Sequence, residues 1–165
     1  MDPRRLRPGE WVAGIAGAVL LLSLFLDWYG VEGGGLAANA WESFRVVDVF
    51  LALAALLGIA VAVMTAFHRV AAVPIALASL LGTIAGIALL LVVWRALDPV
   101  GWEVVSGDGV EPLDATREVG LWLGLASSVA LVAGAFMSMR DETTPDAARV
   151  DVPIEVLPPP EGGAA

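Results

Sequence analysis

Four apolar runs without an acidic or basic side chain, residues 11–26, 49–67, 70–94 and 119–139, restrict what this chain can fold into more than any other feature. A helix rises about 1.5 Å per residue and a bilayer's hydrocarbon core is about 30 Å thick, so each run approaches or exceeds the ~20 residues that a crossing needs. Composition agrees, because 58% hydrophobic residues exceed the roughly 45–50% of an ordinary soluble domain. The 165 residues leave room for one membrane domain and for no second globular one. The expected fold is all-α: a polytopic membrane protein built as an antiparallel four-helix transmembrane bundle over residues 11–139. Its spans are expected over residues 11–28, 48–67, 71–95 and 117–139, the first extending through Asp27 and Trp28 into the interface.

Arginine supplies every basic charge and sets the orientation. Arg4, Arg5 and Arg7 precede the first span, Arg69 sits between the second and third, and Arg140 and Arg149 follow the fourth. That side is expected to be cytoplasmic, with both termini inside, in the bacterial cytoplasmic membrane. The opposite loops hold only Arg45, Arg95 and Arg117 against Asp27, Glu32, Glu42, Asp98, Glu103, Asp108, Glu111, Asp114 and Glu118. The start of the chain imitates a secretory signal, yet the small-residue pattern Ala38-Asn39-Ala40 lies well past the end of the apolar run, so a retained helix is expected. Residues 1–10 then form a cytoplasmic N-terminal segment. Residues 140–165, ending in a Pro- and Gly-containing stretch with little apolar surface, form a disordered cytoplasmic tail.

Between the spans, Asn39 and Glu42 match a capping box that opens a short interfacial helix near Ala40, bringing Trp41 and Phe44 to the outer surface. Asp48 is available to cap the second span. Pro74 belongs in the first turn of the third, where its missing amide hydrogen has no helical partner. In the long segment after the third span, residues 102–105 and 110–113 are expected to pair as a hairpin around Ser106-Gly107-Asp108-Gly109.

Packing signals outnumber catalytic ones. Ala54, Gly58 and Ala62 recur every four residues in the second span, as do Ala78, Gly82 and Gly86 in the third and Gly120, Gly124 and Ser128 in the fourth. Small residues at this spacing let helix backbones approach closely, within the bundle or between copies. Ser79, Thr83, Ser127 and Ser128 are expected to bond back to their own helices rather than line a polar path.

Several chemistries are excluded. Cysteine is absent, which removes disulfides, thiolate metal sites, iron–sulfur clusters and thiol redox reactions. His68 is the only histidine, so one chain cannot supply paired haem ligands. No span carries a charge near its middle, where proton-coupled transporters place one. Asp108, Glu111 and Asp114 recur every third residue but lack the ligand pattern of a calcium loop. The net charge of −9 and the absence of a basic stripe argue against nucleic acid. No catalytic residue, cofactor site or metal site is expected, and the protein is expected not to be an enzyme.

Tryptophan is unevenly distributed: Trp28, Trp41, Trp94, Trp102 and Trp122 map to or beyond the outer boundary, with Tyr29 beside them, while Trp11 alone maps inside. An interfacial aromatic belt accounts for this. Together with Phe44, these outer aromatics are also the candidate contacts for lipid or a partner. Leu24-Phe25-Leu26-Asp27-Trp28-Tyr29-Gly30 and Ala40-Trp41-Glu42-Ser43-Phe44 resemble uncharacterised small four-helix integral membrane proteins of GC-rich bacteria. The resemblance covers the spans and not the tail, and implies no activity. The functional expectation is therefore a noncatalytic structural or accessory component whose partners are membrane lipids and a membrane protein or a second copy, with a small oligomeric transporter or channel as the alternative.

Overall fold

The first apolar run does not stay helical to its end. In the computed structural model of the protein, which describes residues 7–31, 35–44, 46–67, 72–99, 102–106, 109–113 and 115–143, helix α1 spans Pro8–Ser23. Pro8 opens it, where a missing amide hydrogen costs nothing, and the Glu10 carboxylate accepts the Arg7 backbone N–H at 2.9 Å. The expected extension through Trp28 is corrected: Phe25 and Leu26 bond back three residues to Leu22 and Ser23, and the chain turns into strand β1, Asp27–Val31.

Strand β2, Ala37–Asn39, returns antiparallel to β1. Between them Gly35 takes φ +87°, a left-handed conformation that costs glycine no steric penalty. The expected capping box follows: Asn39 Oδ1 accepts from Glu42 N at 3.0 Å, and Glu42 Oε2 accepts from Asn39 N at 3.2 Å. It opens α2, the single turn Ala40–Ser43. Helix α3, Val47–Phe67, starts one residue before Asp48, so Asp48 lies buried in the first turn, bonding the Val49 N–H, rather than at the cap.

Helix α4 spans Ala72–Leu97, with Pro74 in its first turn. Strands β3, Trp102–Ser106, and β4, Gly109–Leu113, form the expected hairpin, Trp102 opposite Leu113 and Ser106 opposite Gly109. Strand β5, Ala115–Arg117, leads into α5, Val119–Thr143. The expectation of an all-α fold is corrected here, because β5 pairs with β1 and completes a three-stranded antiparallel sheet ordered β2-β1-β5. The strands of this sheet are short and β1, Asp-Trp-Tyr-Gly-Val, does not alternate polar with apolar, so nothing in the hydrophobic pattern distinguishes them from loop.

The chain is mostly helical, and α3, α4 and α5 are long and apolar enough to cross a membrane. Helix α1, at 16 residues, is shorter. It packs on both α3 and α5, and α4 packs on the same two. Glycine sets these distances: a Cβ on Gly134 would lie 2.6 Å from the Ala13 nitrogen, and one on Gly17 would lie 2.5 Å from the Ala55 carbonyl oxygen. Both approaches bring backbone against backbone, which maximises dispersion contact between helices.

Candidate functional site

The sheet roofs the end of the molecule where α1 and α4 finish and α3 and α5 begin. Asp27 pairs with Asn39 and Tyr29 with Ala38, so Trp28 is the extra residue of a bulge. In a regular strand, neighbouring side chains point to opposite faces. The bulge breaks that alternation, and both Trp28 and Tyr29 are fully buried.

Trp28 lies in a slot floored by α5, where a Cβ on Gly124 would approach its Cζ2 to 2.7 Å and one on Gly120 its Cδ1 to 2.6 Å. Its Nε1 donates to the Ser23 carbonyl at 2.7 Å. That carbonyl, in the last turn of α1, also accepts the Leu26 N–H at 3.1 Å, so the indole adds a second bond to it. The Ala40 N–H satisfies the next one, Leu24 O, at 3.2 Å. The lid thereby caps a helix that ends among apolar side chains, where an unpaired carbonyl would cost several kcal/mol by order of magnitude.

Phe44 packs edge-on against both rings, 5.6 Å from Trp28 and 6.0 Å from Tyr29 between ring centres. Tyr29 reaches across to α4 and donates its hydroxyl to the Arg95 carbonyl at 2.8 Å. Burial pushes the Tyr29 hydroxyl up to about 12, the neighbouring Arg95 and Arg117 charges pulling the other way. Arg95 turns its guanidinium onto two aromatic faces, its Cζ 4.9 Å from the Phe44 ring centre and 4.6 Å from that of Trp94. Its Nε is buried without a hydrogen-bond partner. Arg117, opposite Tyr29 in the sheet, donates from Nε to the Ala96 carbonyl at 2.7 Å.

The outer aromatics therefore divide. Trp28, Tyr29 and Phe44 are corrected from candidate contacts to lid core. Trp41, Trp94 and Trp122 are exposed, and Trp41 meets the exposed Phe25 ring at 5.8 Å. The side chain of Trp102 lies outside the described residues, as do His68, Asp108, Asp114 and the Glu111 side chain.

Of the small-residue positions, Ala54, Ala78 and Ser128 are fully buried or nearly so, and Gly58, Gly120 and Gly124 are buried. Ala62 faces Gly14, and Gly82 faces Met139 at 3.1 Å from its Cβ position. No atom lies within 4 Å of a Cβ built on Gly86, so it seats no helix of its own chain. The reading of spans two to four missed Gly9, Ala13 and Gly17 in α1 and Gly134 with Ser138 in α5, although the same four-residue spacing marks them. Arg95 and Arg117 were missed as a pair because 21 residues separate an exposed strand end from a helix terminus.

The hydroxyls of Thr83, Ser127 and Ser128 bond to carbonyls of the preceding turn of their own helices, as expected. Two open apolar grooves, of about 320 Å³ between α1 and α5 and about 340 Å³ between α4 and α5, carry no titratable lining residue. Among the described residues no three His, Cys, Asp or Glu side chains converge as a metal site. The arrangement at the lid is one of cations and aromatic faces, suited to recognition. Comparison with protein-family models, with curated proteins and with solved structures finds no match.

Proposed function

We propose that the chain is a four-span integral protein of the bacterial cytoplasmic membrane, both termini cytoplasmic and the sheet-bearing end outside, acting as a noncatalytic structural or accessory component. One observation carries the membrane reading: beside the buried leucines of the core, the helices leave many large apolar side chains on the outside. Leu22, Leu53, Leu90 and Phe136 are each 59% exposed or more, while Ala13, Ala54, Ala85 and Ala135 are fully buried. In water such continuous apolar surface drives association, whereas in lipid it meets acyl chains at no cost. Helix α1, at 16 residues, covers roughly 24 Å of the crossing, and the capped turn of Leu24 to Leu26 with the buried Trp28 continues its apolar path.

The accessory role is supported by what the lid leaves free. Trp28, Tyr29 and Phe44 are committed to holding the lid down, so lipid, a membrane-protein partner or a second copy is met by Trp41, Trp94 and Trp122. Hydroxyls turned onto their own helices weigh against a conducting path and so against the transporter reading. Affinity purification in mild detergent, with identification of copurifying proteins and lipids, tests this reading. A partner retained by the native chain and weakened by Trp41→Ala or Trp122→Ala is expected. Proton-driven flux in liposomes that survives both substitutions would defeat it.

A further inference from the structure

Two cations, Arg95 and Arg117, both act on the Tyr29 hydroxyl at the rim of the lid, and among the described residues neither is in an ion pair. Arg95 and Arg117 belong to different elements, yet Tyr29 ties them together: its hydroxyl bonds the Arg95 carbonyl, and its backbone pairs with Arg117 in the sheet. The described carboxylates nearby form no salt bridge with them. Glu118 is engaged by the Thr116 hydroxyl at 3.1 Å, and Asp98 is exposed on the turn after α4. Neither arginine has a salt bridge among the described residues.

Arg95 is also held in place. Aromatic faces of Phe44 and Trp94 flank its guanidinium, and its Nε is buried between them and the protein. Its Nη donors have no hydrogen-bond partner among the described residues. A planar guanidinium with free donors matches the oxygens of a phosphate, and preorganisation lowers the entropy lost on binding. The neighbours on the same turn are Trp94, 49% exposed, and Leu97, 76% exposed, both suited to acyl chains at the headgroup boundary.

We infer that Arg95 and Arg117 form a binding site for the phosphate of an anionic phospholipid in the leaflet on the lid side. The inference rests on the membrane reading above, and its test reports on the two separately. Purified full-length protein in detergent is offered phosphatidylglycerol, phosphatidylcholine or inorganic phosphate, and retained lipid is read by native mass spectrometry beside the thermal unfolding midpoint. Protein that stays monodisperse with the detergent removed would count against the membrane reading itself.

Retention of phosphatidylglycerol is expected to exceed that of phosphatidylcholine by about fivefold for each arginine engaged. Arg95→Gln and Arg117→Gln should each lose about that factor, while Arg140→Gln, which removes the same charge at the other end of α5, should not. Because Arg117 is exposed, its variant keeps the test standing if Arg95→Gln fails to fold. Unchanged phosphatidylglycerol retention in Arg117→Gln, or equal protection by inorganic phosphate alone, would overturn the site.

Discussion

The indole N–H of Trp28 donates to the carbonyl of Ser23, five residues earlier, at 2.7 Å. This bond ties the lid to the end of α1, beside the Leu26 N–H on the same carbonyl, and the same ring fills the slot over Gly120 and Gly124. Replacing Trp28 with Phe removes the donor and leaves part of the slot empty. Thermal unfolding in detergent should show a loss of about 1–3 kcal/mol, combining one lost hydrogen bond with a cavity. A midpoint unchanged from the native chain would remove the capping role.

Gly134 and Gly86 sit in helices that pack on each other and should respond oppositely to alanine. At Gly134 the new methyl meets the Ala13 backbone at 2.6 Å, and the α1–α5 pair must separate, at a cost of about 1–3 kcal/mol. At Gly86 nothing lies within 4 Å, and Ala improves the helix by about 0.5–1 kcal/mol. Denaturation of the two variants side by side decides the matter, and equal losses would mean that Gly86 also packs.

Tyr29 is the only tyrosine, so tyrosinate absorbance follows it without interference. Its titration should centre near 12 instead of the ordinary 10. A folded value above the unfolded one means that the neutral hydroxyl contributes stability in full below pH 10 and loses it as pH rises towards 12. Tyr29→Phe should abolish this alkaline loss of stability, and should cost about 1 kcal/mol at neutral pH through the missing bond to Arg95. A native midpoint at the ordinary value would place the ring in water.

The native chain has no cysteine, so single substitutions report topology cleanly. Glu42→Cys in the exposed lid helix should react with a membrane-impermeant maleimide added to intact spheroplasts, and Arg140→Cys should react only after lysis. Labelling of both from one side would defeat the four-span topology.

The sequence by itself determined that four helical runs exist, because apolar length is a local property, although it did not determine where the first one ends. It also determined the α2 cap, since Asn39 and Glu42 are three residues apart and need no distant partner, and the β3–β4 hairpin, whose turn is local as well. Only the tertiary structure decided where α1 stops and what Trp28, Tyr29 and Phe44 do. Periodicity carries Leu24 to Trp28 onward as helix, and the turn and strand that replace it become favourable only when β2 and, more than 80 residues later, β5 supply partners for β1. Hydrophobicity marks an aromatic ring as suited to an interface or a core without distinguishing them. The glycines of α5, far along the chain, settle that choice by opening a slot that one indole fills.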